Sequence, residues 1–244
     1  MPSPSKCRVR AIVSPVKPIA YIHSDFSQKF GIPRQSGLVD SLEATIVFCP
    51  EYANPAALKG LDGFSHLWLI WEFDGAKRSG WSPTVRPPRL GGRERMGVFA
   101  TRSPFRPNSL GLSCVRLKSI EYTDEGPVIH VLGADLRDGT PIFDIKPYLP
   151  YADCHPDATG GFTDNVHYRH LQVVIPDELL SKVPAEKREA LIGVLQEDPR
   201  PPLQQDPDKV FSMAFADLDV HFTVKGDELH VVEVQTSVDA SENR

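Results

Sequence analysis

Seven short runs rich in β-branched and aromatic residues constrain the fold of this chain more than any other feature. They are Arg8–Val13, Leu42–Phe48, Phe64–Phe73, Met96–Thr101, Leu112–Tyr122, Val128–Leu132 and Ile142–Ile145, and side chains of this kind pack well on a pleated surface. Turn-forming residues punctuate them at Ser14-Pro15, Gly31-Ile32-Pro33, Asp62-Gly63, Asp124-Glu125-Gly126-Pro127 and Asp138-Gly139-Thr140-Pro141. Many short strands at this spacing predict a mainly β fold, a barrel or a sandwich. No Gly-x-Gly-x-x-Gly follows a strand and opens a helix, so a Rossmann domain is not expected.

The pattern changes after residue 150. Tyr151–Asn165 is rich in Gly and Asp and reads as a linker. Ala185–Gln196 then reads as a helix, with Pro184 before it and Leu191, Ile192 and Leu195 on one face. Leu218, Val220, Phe222 and Val224 alternate with Asp219, His221 and Thr223 as a half-buried strand, which Lys225-Gly226-Asp227 turns into a partner over Glu228–Gln235. Thr236–Arg244 reads as a frayed tail. We therefore expect a small β-barrel over 1–150 and a small α+β domain over 151–244, with the barrel folding and binding its ligand alone.

The segment from Arg86 to Arg106 carries six arginines (Arg86, Arg89, Arg93, Arg95, Arg102, Arg106) against one acid, Glu94, in a protein of formal net charge −5. Arginine offers a rigid fork of donors to phosphate or carboxylate, and the interleaved Pro and Gly exclude a long solvated helix. The segment is a surface solubility loop or, as we favour, a site for a polyanion or an anionic small molecule; with a pI near 5.9, nucleic acid would have to be held by such a patch. Cys7, Cys49, Cys114 and Cys154 form no Cys-x-x-Cys pair and read as reduced thiols. No apolar run is long enough for a membrane span, and the first residues lack a signal-peptide core, so a cytoplasmic protein is expected. The histidines show no metal-ligand spacing, and no metal site is expected.

Five motifs occur in order: Pro33-Arg34-Gln35-x-Gly37-Leu38, Gly60-Leu61-x-Gly63-Phe64-Ser65-His66-Leu67-Trp68, Pro87-Pro88-Arg89-Leu90-Gly91-Gly92, Gly97-Val98-Phe99-Ala100-Thr101-Arg102-Ser103-Pro104-x-Arg106-Pro107-Asn108 and Asp138-Gly139-Thr140-Pro141-x-x-Asp144-Ile145-Lys146-Pro147-Tyr148. Together with Asp198-Pro199-Arg200-Pro201 they make the chain resemble the TsaA-like family of TrmO-type tRNA methyltransferases over nearly its whole length. The chain departs from the family pattern in a longer Pro18–Phe30 segment and in Leu203, where an aromatic is common.

The resemblance implies a β-barrel that binds S-adenosylmethionine, works as a homodimer, and methylates N6 of threonylcarbamoyladenosine beside the anticodon of threonine tRNA. It implies cofactor contacts at Pro33, Arg34, Gln35, Asp74, Gly75, Arg102, Leu112, Asp135, Leu136, Arg137 and Asp138. Taken as residues, Pro33-Arg34-Gln35 is either a polar turn or a holder of a carboxylate or adenine edge, Leu112 is core by default, and Asp138 suits an Asx turn better than Asp135 does. Arg86, Arg89 and Arg106 are assigned to RNA, with the cofactor carboxylate as the alternative partner of Arg106. Methyl transfer to a urea-like nitrogen calls for a general base; Asp135, Asp138 and His66 are the candidates in that order. His66, inside an apolar run, is more naturally structural, and Asp144 with Lys146 more naturally an ion pair than a catalytic set. A methyltransferase for a small anionic metabolite and a cofactor- or RNA-binding module without turnover are the alternatives.

Overall fold

Apolar residues at every second position decide which side of the first sheet faces inward. The computed structural model of the chain describes residues 16–73, 81–87, 90, 94–165, 169–201, 204 and 206–237; the expected strand Arg8–Val13 and Leu203 lie outside them. In chain order the strands are β1 (Ala20–Ser24), β2 (Glu43–Phe48), β3 (His66–Glu72), β4 (Thr84–Val85), β5 (Met96–Gly97), β6 (Leu110–Thr123), β7 (Gly126–Leu132) and β8 (Thr140–Pro147). After these come helix α1 (Pro150–Asp153), β9 (Gln172–Val174), helices α2 (Asp177–Leu180) and α3 (Arg188–Gln196), and β10 (Phe211–Phe215), β11 (Leu218–Lys225) and β12 (Glu228–Thr236).

Six strands close a barrel in the order β1-β2-β7-β6-β3-β8. Its interior is filled by Ala20, Ile22, Ala44, Ile46, Leu67, Leu69, Val115, Ile129, Val131 and Ile142, all buried. These are the inward positions of alternating strands, and each such side chain contributes roughly 1.5–3 kcal/mol of burial where it is as large as Val, Leu or Ile. The antiparallel registers place the end of β1 and the start of β2, the end of β3 and the start of β6, and the end of β7 and the start of β8 at one rim. The ends of connections 25–42, 73–109 and 133–139 therefore meet at that rim.

The second sheet runs β10-β11-β12-β9, antiparallel except for β12 with β9. Leu191 and Leu195 of α3 pack on it with Met213, Val220, Phe222 and Leu229, as the alternation predicts. This core also takes Phe26, Val39 and Leu42 from connection 25–42, with Phe30 and Ile32 against it. Polar contacts follow the same join: Lys187 pairs with Asp25 at 2.7 Å, and the Ala216 amide donates to the Asp25 carbonyl at 2.9 Å.

One strand is unforeseen, and two local expectations change. The Pro18–Phe30 segment contains β1, a full stave of the barrel whose five residues carry only Ala20 and Ile22 inward. The Met96–Thr101 run is a strand only at Met96–Gly97 and then a 3-10 turn over Val98–Ala100. Val98 N–H still donates to Pro83 O at 3.0 Å, but Pro83 has no N–H to return, so the β4–β5 ladder stops there. The Tyr151–Asn165 linker is partly ordered. Its α1 turn is pinned by Asp153, which accepts from the Leu149 amide (2.8 Å) and from Trp68 Nε1 (2.9 Å) of β3. Those two donors hold the Asp153 carboxyl below its usual range.

Candidate active site

A polar chain enters the barrel at the rim that carries the three long connections. Trp71 on β3 and Ser113 on β6 both point inward, where alternation would otherwise require apolar side chains. The indole has only an N–H to give, and Trp71 Nε1 donates it to Ser113 Oγ at 2.9 Å. That leaves the single hydroxyl proton of Ser113 for Asp135 Oδ1, 2.5 Å away. Gly111 makes room for the indole: a Cβ there would lie 2.2 Å from Trp71 Cε2. Ser113 is fully buried.

Asp135 stands partly buried in connection 133–139, just past β7. Burial raises its carboxyl above the usual range; the Ser113 hydroxyl, the backbone amides of Asp135 and Ser36, and the Arg102 guanidinium pull the other way without cancelling the rise. Arg102 in turn donates through Nη1 to Gln35 Oε1, and Gln35 Nε2 donates to the Arg34 carbonyl. Connection 25–42 is held beside β6 and connection 133–139 by the Cys114 amide on Ser36 Oγ (3.1 Å) and the Gly37 amide on Gly133 O (2.9 Å). Arg34 Nη2 reaches Asp198 O at 3.5 Å. Asp198 adopts a positive φ of 49° and is gripped by Arg200, whose Nε and Nη2 each lie 2.8 Å from its carboxylate.

The expected residues thus divide. Arg34, Gln35 and Arg102 form one hydrogen-bonded run through the Arg34 carbonyl, and the Arg102 charge acts on Asp135. Asp138 turns to β1 instead, where its Oδ1 meets His23 Nδ1 (3.1 Å) and the Ser24 amide (3.2 Å). Among the described residues the two carboxylates, three residues apart, share no hydrogen-bond partner. Leu136 is buried in the barrel core and Pro33 is also buried, while the Arg137 carbonyl accepts from Thr140 Oγ1 at 2.7 Å. Leu112 is not core: it faces outward on β6, 52 % exposed. Asp74, Gly75 and Arg89 lie outside the described residues.

Among the arginines assigned to RNA, Arg86 is exposed at the end of β4, and Arg106 donates through Nη1 to Thr101 O at 2.9 Å. His66, a candidate base, begins β3 at the opposite rim and contacts Ser65 Oγ at 2.9 Å, so it is removed from the site. Lys146 pairs with Asp144 at 2.8 Å, as expected. Sequence reasoning missed Trp71 and Ser113. The signal was present in one polar residue at an inward position of β6, two residues after a glycine.

The model of the tRNA-methyltransferase O N-terminal domain matches residues 21–154, and that of the TrmO C-terminal domain matches residues 168–237. A tRNA (adenine(37)-N6)-methyltransferase of Escherichia coli is 39% identical over 214 residues, which are 84% of this chain and 91% of the relative. A Pseudomonas aeruginosa protein, described as a candidate S-adenosylmethionine-dependent methyltransferase, is 39% identical over 85% of this chain and 91% of its own. The crystal structure of TrmO from the same species superimposes with a TM-score of 0.75 at 34% identity, covering 92% of this chain and 98% of that one.

Proposed function

This chain belongs to the tRNA-methyltransferase O family, and on that premise we propose that it uses S-adenosylmethionine to methylate N6 of adenosine 37 in tRNA. The observation that carries the reading is the rim set of Asp135, Ser113, Arg102 and Gln35. It puts a carboxylate of raised proton affinity next to a guanidinium and an amide, which suits a ligand bearing both a cationic centre and a carboxylate.

In this proposal Arg34, Gln35 and Arg102 hold the cofactor's methionyl end, and the outward Leu112 offers its ring system an apolar surface. When bound, the cofactor supplies an electrophilic methyl group. The acceptor nitrogen of threonylcarbamoyladenosine is urea-like and gains nucleophilicity as its proton leaves. Asp135 takes that proton on its carboxylate, which Trp71 and Ser113 keep in one orientation. Arg86 and Arg106 bind RNA. We further propose threonine tRNA as the substrate, a homodimer as the working form, and the cytoplasm as its place of work.

Incubation with S-adenosylmethionine and tRNA from a strain lacking this protein, followed by nucleoside mass spectrometry, tests the reading. One added methyl on threonylcarbamoyladenosine is expected. Unchanged tRNA nucleosides, with or without methylation of a small metabolite, would overturn it.

A further inference from the structure

Trp81 and Phe99 stand half out of the protein, 50 % and 71 % exposed, with ring centroids 6.1 Å apart and planes inclined by 28°. Exposed aromatic rings of this size gain nothing from the barrel core, yet the backbone around them is closely fixed. Ser82 Oγ donates to Thr84 O at 2.6 Å, the Val98 amide to Pro83 O at 3.0 Å, and Thr101 Oγ1 to Val98 O at 2.9 Å. Val98 itself is buried at 1 % exposure, so its neighbour Phe99 is held out by an anchored turn. Among the described residues of the arm, arginines outnumber the one acid, Glu94. Arg86 follows β4, and Arg95 precedes β5 and donates to Thr84 Oγ1 at 3.2 Å; Arg102, three residues beyond Phe99, joins the rim set through Gln35.

We propose that Trp81 and Phe99 form a stacking platform for an unpaired nucleobase of the anticodon loop, with Arg86 and Arg95 on the flanking phosphates. The inference rests on tRNA being the substrate. Bases displayed in a loop offer π-faces to aromatic side chains, while those inside an RNA duplex do not. A two-fold contact of this arm with its own copy fits less well, because it would set arginines against arginines. The platform sits on the segment that leads through Arg102 to Asp135, so it would register the loop against the site where the neighbouring base reacts.

The test uses the full chain, an anticodon stem-loop RNA and S-adenosylmethionine. Trp81→Ala and Phe99→Ala are each expected to weaken RNA binding about 5- to 150-fold, with melting temperature and cofactor affinity retained. The slope of log Kd against log salt should stay as in the parent protein, since no phosphate contact is lost. Arg86→Ala with Arg95→Ala should instead flatten it by about 0.7 per lost contact. Trp81→Tyr and Phe99→Tyr should restore binding. RNA affinity unchanged in both alanine variants, while the parent binds, overturns the platform. So does conversion of the alanine variants from a larger assembly to a monomer, which would make the pair a self-association surface. A parent protein that binds neither stem-loop nor tRNA overturns instead the proposed function on which the inference rests.

Discussion

Asp135 was legible as a candidate because a second carboxylate three residues from Asp138 exceeds what an Asx turn needs. Its environment was not legible, because it depends on Ser113 and Trp71, brought across the barrel from two other strands. Burial makes the folded protein hold the Asp135 proton more tightly than the unfolded chain does. Ionisation of Asp135 therefore subtracts stability as pH rises from the ordinary carboxylate range through its raised pKa. Asn keeps the shape and can still accept from Ser113. Asp135→Asn should thus lose about 10²-fold or more in methyl transfer, while its melting temperature relative to the parent rises between pH 4 and pH 8. Thermal melts across that range, run beside single-turnover assays, check both halves; a variant that keeps its activity ends the assignment of Asp135 as base. The parent's activity should climb with pH along a limb above the usual carboxylate range.

The strand pairings of β3 and β6 explain why a glycine sits opposite a tryptophan. Trp71 faces Gly111 across the ladder, and the indole lies flat over the glycine backbone, where an added Cβ would come within 2.2–2.6 Å of three ring atoms. The ring cannot retreat without losing its bond to Ser113. Gly111→Ala should destabilise the protein by about 1–3 kcal/mol and lower methyl transfer beyond what the lost folded fraction explains. Denaturant melts give the first quantity and assays on the remaining folded protein the second; an unaltered melt would mean the rim relaxes freely around the new methyl. Elements of strong alternation, such as β7 and β11, were readable from sequence with ends close to those observed. β1 was not, since five residues with two small-to-medium inward side chains resemble a loop, and its strand character comes from pairing with β2 and β8. The same lack of long-range information hid the end of the β4–β5 ladder at Pro83.

The chain forms a barrel and, after it, a second sheet, and their cores are joined through connection 25–42. Phe26, Val39 and Leu42 belong by position to the first part and by packing to the second, a fact no local pattern records. The same connection carries Arg34 and Gln35. A chain ending at Tyr151 should therefore close its barrel, expose those three apolar side chains, and bind S-adenosylmethionine at least about tenfold more weakly than the full chain; the estimate takes the loss of fixed geometry at one charged contact as about 1.5 kcal/mol. Calorimetry with the truncated and full proteins decides it, and equal affinity would mean the connection orders itself without its cover. The shared core also has a consequence in time. During synthesis the strands of the barrel leave the ribosome first and can pair once residue 147 has emerged, but the residues that clamp connection 25–42 arrive only between 171 and 234. A nascent chain would hold a finished barrel with an unset mouth, and competence for its ligand would come only with the last strands translated.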